Sequence, residues 1–153
     1  MNYENSETKK MKPISIGRKN AVMERIFELI YSKSSFLLLG HQYADEDCFS
    51  SVVAFGLLLR KFGKTVNIFL EDNVPDNLSF FKEICKYNSI SFFVKNLTET
   101  INPNVVVILD TPKPDMIALN DDIKVFLKDK RLPKVEIDHH FAADADYSGD
   151  EDY

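Results

Sequence analysis

Ile137-Asp138-His139-His140 closes a short apolar run, and two other acid-bearing segments of the same kind precede it. The first is Gly40-His41-Gln42-Tyr43-Ala44-Asp45-Glu46-Asp47, directly after Phe36-Leu37-Leu38-Leu39. The second is Asp110, directly after Val105-Val106-Val107-Ile108-Leu109. In a parallel α/β sheet the C-terminal ends of the strands share one edge, and ligands bind in the crevice there. Three strand ends carrying carboxylates and imidazoles therefore make a metal site the chemistry to expect. Asp45 and Asp47 are two residues apart, so an extended loop can turn both to one side to serve adjacent ions. Asp110, arriving from a neighbouring strand, could bridge the two. Oxygen ligands with one or two imidazoles suit Mn2+ or Mg2+ better than a structural zinc. Two ions about 3.5–4 Å apart clamp the attacking and leaving oxygens of a phosphoryl centre and acidify a water between them. The pattern thus fits metal-assisted phosphoester hydrolysis.

Each piece has a plainer reading when taken alone. His41-x-x-x-Asp45-x-Asp47 is also what a polar loop gives, with Asp47 capping the next helix. Asp110 is also the acid that ends a strand before the turn-forming Thr111-Pro112-Lys113-Pro114. Adjacent histidines can be a surface accident. The plainer readings fail together, because all three segments follow strands that should share one sheet edge. Cys48 follows Asp47 with no base to pair with and reads as a small buried side chain. The twelve Phe residues fall mainly on core faces rather than on a base-stacking platform.

The elements that must position these residues alternate strand and helix. A helix follows Asn20, with Val22, Ile26, Leu29 and Ile30 on one face. The strand Phe36–Leu39 leads through the acid-rich loop to a helix from Cys48 to Phe62, ended by Gly63. Val52, Val53, Phe55, Leu57, Leu58 and Leu59 make that helix apolar nearly all round, as for a central helix covered on every side. A strand over 64–70, a loop from Glu71 to Pro75 and a helix capped by Asp76 come next, with Leu78, Phe81, Ile84 and Cys85 facing inward. Ser91–Val94 and Val105–Leu109 read as strands. A helix starts at Asp121-Asp122 and reaches about Lys130, and Val135–Asp138 is the last strand. The fold class is therefore α/β, a three-layer domain with a mainly parallel sheet.

Composition narrows the function classes. The 153 residues suffice for one domain, and the 44% apolar fraction is ordinary for a globular protein. The formal charge of −5 disfavours non-specific binding to long nucleic acid, which needs clustered cations. Charge is uneven: residues 1–20 carry five cations and two acids, whereas 135–153 carry seven acids and no Lys or Arg. Two cysteines outside any C-x-x-C pair imply no disulfide framework and a cytoplasmic setting. The polar N-terminus shows no signal peptide, and no apolar stretch is long enough for a membrane span.

With the motifs in place, the chain resembles the N-terminal domain of the DHH phosphoesterase superfamily. That group includes RecJ exonucleases, manganese-dependent inorganic pyrophosphatases, exopolyphosphatases, oligoribonuclease/pAp phosphatases and cyclic-di-AMP phosphodiesterases. His41 to Ser51 is similar to the first motif, H-x-x-P-D-x-D-A-x-G-S, with Ala44 at the proline and Ser50 at the glycine. Asp110 matches the second motif, and Asp138-His139-His140 the one that names the family. The resemblance spans about residues 20–145. It implies that His41 and Asp45 hold one Mn2+, that Asp47 and His139 hold the other, and that Asp110 bridges them; Mg2+ is the second choice. It implies that His140 contacts the substrate phosphate or protonates the leaving group, and that Asp138 supports the two histidines.

The division expected is a polar extension over 1–18, a DHH domain over 19–145 and an acidic tail over 146–153. The family adds a further aspartate ligand well downstream and a C-terminal substrate-binding domain, DHHA1. Thirteen residues follow His140, and Asp144, Asp146, Asp150 and Asp152 lie too close to it to match that ligand. The expectation is a chain truncated before DHHA1, a natural truncation, split gene or fragment, with weak or no hydrolysis until a C-terminal half is supplied in cis or in trans. The expected substrate is a small phosphorylated molecule: a short oligoribonucleotide, pAp or a cyclic dinucleotide. The alternatives are an exopolyphosphatase or pyrophosphatase, and a non-catalytic metal-dependent remnant or binding module.

Overall fold

The computed structural model describes residues 15–70, 74, 76–93, 101–117 and 121–140. Strands β1 (Ser35–Leu39), β2 (Thr65–Phe69), β3 (Ser91–Phe93), β4 (Val105–Leu109) and β5 (Lys134–Ile137) form one sheet in the order β3-β2-β1-β4-β5. All four pairings are parallel. Helices α1 (Ile16–Ser32), α2 (Glu46–Lys61), α3 (Phe80–Tyr87) and α4 (Asp121–Lys128) cover it on both faces. The expected three-layer α/β architecture with a parallel sheet is what the chain adopts.

Alternation along the strands builds two cores. Phe36 and Leu38 of β1, Val66 and Ile68 of β2, and Val105 and Val107 of β4 pack with α1, α2 and α3. Leu37, Leu39, Phe69, Val106 and Ile108 point to the other face, where Ile117 and Ile123, with Phe126 and Leu127 of α4, cover them. A strand buried on both sides must be apolar at every position, which is why β1 and β4 read as unbroken runs rather than alternating ones. The change of face follows from chain direction. The order runs outward from β1 through β2 to β3, then returns to β4 on the other side of β1, and a right-handed crossover then places α4 on the opposite face from α2.

Several local details differ from the sequence reading. Helix α1 begins at Ile16, not after Asn20, because Ser15 is extended and its side chain accepts from the Arg18 amide at 3.3 Å. Helix α2 is not covered all round: Cys48, Phe49, Val52, Val53, Gly56 and Leu59 are buried, whereas Leu58 is 42% exposed. The sheet buries one face of α2, and nothing among the described residues encloses the far side. Asp76 does not cap α3; it opens a short 3-10 turn, Asp76–Leu78, and Ser79 precedes the helix without a side-chain cap bond. Helix α4 ends at Lys128, two residues short of Lys130, and β5 ends at Ile137, which leaves Asp138 beyond the ladder. Residues 1–14, 71–73, Pro75, Val94 and the acidic end from 141 lie outside the described residues.

Gly40 links β1 to the acid-rich loop and is there for space. A Cβ at this position would collide with Cys48 Sγ and stand 2.7 Å from Leu70 Cδ2, both fully buried. Overpacking of this kind costs about 1–3 kcal/mol. Gly40→Ala should therefore lower the urea midpoint, whereas Gly17→Ala, at an open position in α1, should raise it slightly by helix propensity. Equal midpoints for the two variants would show that the β1–α2 junction relaxes without strain.

Candidate metal centre

The sheet order turns back between β1 and β4, and the three motifs follow β1, β4 and β5, which are adjacent strands. Leu39 is in register with Ile108, and Leu109 with Ile137, so His41, Asp110 and Asp138 emerge side by side. A crevice at a point where the strand order reverses is where open α/β sheets bind ligands.

Asp110 occupies the middle. Its backbone N–H donates to the Ile137 carbonyl at 3.0 Å, which extends the ladder by one bond. Its φ of +50° then turns the chain out of the sheet. Asp tolerates this left-handed conformation better than most residues. The side chain is 5% exposed and offers one oxygen to each side. Oδ2 lies 4.0 Å from His41 Nε2. Oδ1 lies 3.2 Å from His139 Nε2 and 3.6 Å from His140 Nδ1.

Two half-sites flank it. On one side, His41 Nε2 stands 3.8 Å from Asp45 Oδ1, and the ring is mostly covered. An antiparallel bridge from His41 to Ile117 and a 2.6 Å bond from the Gln42 amide to the Met116 carbonyl anchor this loop to the turn after β4. On the other side, His139 Nε2 lies 3.5 Å from Asp47 Oδ2, and here both side chains are largely exposed. All five expected metal ligands, His41, Asp45, Asp47, Asp110 and His139, are thus brought to one centre. The two remaining site residues meet beside it. His140 Nδ1 lies 2.6 Å from Asp138 Oδ1, the same oxygen accepts the His140 amide, and the His139 and His140 rings are 4.4 Å apart.

Electrostatics follow from these contacts. The bond to Asp138 raises the His140 pKa above its ordinary value, with the charges of Asp110 and Asp47 adding to it. Asp45 is held below the usual carboxylate range chiefly by the Cys48 amide, helped by His41. Asp45 Oδ1 accepts from the amides of both Asp47 and Cys48, so Asp45, and not Asp47, caps α2. Asp47 lies inside the first turn of that helix.

The residues present fit a divalent cation. Asp110 Oδ1 is buried without a hydrogen-bond partner. An unsatisfied buried oxygen is costly unless a cation or donor meets it. Asp110, Asp138, His139 and His140 offer ligand atoms within 4.8 Å of one another, and so do His41, Cys48 and Asp110. The second group brings in Cys48, which sequence reasoning had placed only in the core. Burial pushes its thiol up to about 12. Its spacing marked it as an apolar position on α2, and nothing in the sequence tied it to His41.

The chain matches the DHH family, N-terminal domain, over residues 35–152, and it belongs to that family. The superfamily it defines is one of metal-dependent phosphoesterases. No curated protein matches the chain.

Asp45 has two tasks, so two substitutions separate them. Asparagine caps a helix about as well as aspartate, whereas alanine loses about 1 kcal/mol. In metal-free protein, Asp45→Asn should keep the thermal midpoint and Asp45→Ala should lower it by a few degrees. Both should weaken divalent-cation binding by calorimetry, with Mn2+ as the probe. A metal affinity unchanged in Asp45→Asn would remove Asp45 from the centre.

Proposed function

We propose that this chain carries the Mn2+-dependent phosphoesterase or phosphodiesterase centre of an enzyme that hydrolyses a small nucleotide: a short oligoribonucleotide, pAp or a cyclic dinucleotide. The observation that supports it is the buried Asp110 carboxylate, with one oxygen turned to the His41–Asp45 pair and the other to the Asp47–His139 pair. Carboxylate and imidazole donors favour Mn2+, with Mg2+ as the alternative. Divalent ions held there supply Lewis acidity to the phosphoryl group and acidify an attacking water. The chain's own residues do the rest. His41, Asp45, Asp47, Asp110 and His139 hold the charge in place. Asp138 fixes the His140 ring through Nδ1, and His140 contacts the substrate phosphate or gives a proton to the leaving oxygen. In this reading the DHH domain is the bulk of the chain, from about residue 19 to 145, and its partner is a small phosphorylated molecule in the cytoplasm. Among the described residues no helix is long and apolar enough to cross a membrane.

A second reading, a metal-dependent binding module without efficient turnover, is favoured by the exposure of the Asp47–His139 half. Its side chains are 65% and 70% exposed; in the other half Asp45 is 69% exposed and His41 only 13%. Water competes for a cation more strongly where neither ligand is covered, so the half that holds the covered His41 should bind first and more tightly.

Two measurements separate these readings. Calorimetric titration with Mn2+ should show a tight and a weak event in the native chain, and Asp110→Asn should weaken both by tenfold or more. Asparagine preserves the volume of the side chain and tolerates the positive φ, so the loss would report charge. Steady-state hydrolysis of pApA, pAp, cyclic di-AMP, pyrophosphate and polyphosphate with Mn2+ then identifies the substrate. Turnover of nucleotides abolished by Asp47→Ala, by the chain alone or with a DHHA1 half supplied in trans, supports the first reading, and metal binding with no turnover in either case supports the second. Preference for pyrophosphate or polyphosphate would replace the nucleotide assignment, and identical Mn2+ titrations for native and Asp110→Asn protein would refute the bridging role.

A further inference from the structure

Beside the metal centre lies a cleft of about 470 Å3, lined by Tyr43, Ala44, Asp45, Glu46, Asp47, Asn77 and Leu78. Its size falls within the range of small-molecule sites. Two of its walls are shared with the metal centre, since Asp45 and Asp47 belong to both. The opposite wall comes from the 3-10 turn Asp76–Leu78, and Asn77 donates to Glu46 Oε1 at 3.3 Å across the mouth.

Tyr43 is the unusual member. It is 80% exposed and has a φ of +57°. An exposed aromatic alone needs no explanation. A bulky residue in the left-handed region does, because the surrounding structure has to impose it. Both sides of Tyr43 are held. Gln42 is bonded to the Met116 carbonyl, and Asp45 is bonded to the first turn of α2. The loop backbone is therefore held where Tyr43 joins the lining of the cleft.

The charge of the cleft states which part of a substrate it can take. Glu46, the one acid of the cleft that lies outside the metal centre, repels a phosphate there, while Asp45 and Asp47 belong with Asp110 to the centre built to gather cations that attract one. A neutral, flat group joined to that phosphate is what fits the cleft. We infer that the cleft seats the nucleobase of the substrate, stacked on Tyr43, while the phosphate lies at the Asp110 centre. The inference rests on the nucleotide reading above and assigns the base a place on this domain. Pyrophosphate or polyphosphate would have no use for the cleft. Aromatic stacking suits it, because every base has a π-face and binds without sequence preference. The polar rim of Glu46 and Asn77 offers an acceptor and an amide to the base edge.

The test is equilibrium binding of adenosine 5′-monophosphate and of ribose 5-phosphate, its base-free counterpart, to the native chain with Mn2+ by calorimetry. Stacking on one aromatic is worth on the order of tenfold in affinity. The native chain should therefore bind the nucleotide at least tenfold more tightly than ribose 5-phosphate. Tyr43→Gly, which relieves the positive φ and so keeps the fold, should erase that difference, and Tyr43→Phe should retain it. Ribose 5-phosphate should bind all three proteins alike. The inference is overturned if adenosine 5′-monophosphate binds no more tightly than ribose 5-phosphate, if Tyr43→Gly leaves the difference intact, or if it weakens both ligands equally. Because these readouts are affinities, they stand apart from the hydrolysis assay. Tyr43-dependent base binding without turnover, even with a DHHA1 half supplied in trans, would keep the cleft and sink the catalytic reading. Turnover without Tyr43 dependence would do the reverse.

Discussion

Everything at the functional edge depends on β4 lying between β1 and β5 with all three strands parallel. Every residue of β4 is buried, so the strand has no place for a charge until the ladder ends. Asp110 stands at that first place, where the chain leaves the sheet with a positive φ. Parallel neighbours are only about 4.8 Å apart. Side chains leaving β1, β4 and β5 at the same edge therefore cannot avoid one another. The hydrophobic core thus decides where the carboxylates meet, although none of them contributes to it.

That arrangement explains why much of the site is legible in the chain without coordinates. A strand buried on both faces is written as an unbroken β-branched and aliphatic run, and Val105–Leu109 is such a run, with bounds that the structure reproduces. The same holds for Phe36–Leu39, to which the structure adds Ser35. Polar residues directly after such runs are then placed on the ligand-binding edge by the rule of parallel sheets alone. What composition and periodicity cannot carry is order across the sheet. That β1 pairs with both β2 and β4, and that β5 pairs with β4, emerges only from the fold.

The misses have local causes. Asp45 and Asp47 are both good capping residues, and spacing could not say that the helix begins one residue after Asp45. The apolar pattern of α2 is too dense to reveal which side the sheet takes, so Leu58 read as covered although it is exposed. Asp76 followed by an inward-facing set looked like the start of one helix, but the chain makes a 3-10 turn before α3. Cys48 joins the environment of His41 and Asp110 because Gly40 lets the loop close onto α2. A contact of that kind depends on the absence of one Cβ and leaves no periodic trace.

Asp45 shows how stability and function share one side chain here. Its Oδ1 satisfies two amides of the α2 N-terminus and also faces His41. A helix N-terminus stabilises a negative charge, so the cap itself helps to keep Asp45 ionised. That ionised carboxylate is part of a dense group. Asp45, Asp47, Asp110 and Asp138 stand around three imidazoles, and every ion pair recorded among them uses a histidine rather than a Lys or Arg. Histidines offset carboxylates only when protonated, and a protonated ring cannot ligate a metal. A proton and a divalent cation therefore cannot share one imidazole nitrogen. Cation binding at this edge must release protons wherever those rings carry them. The histidine–carboxylate contacts of this edge are the ones that a cation would replace.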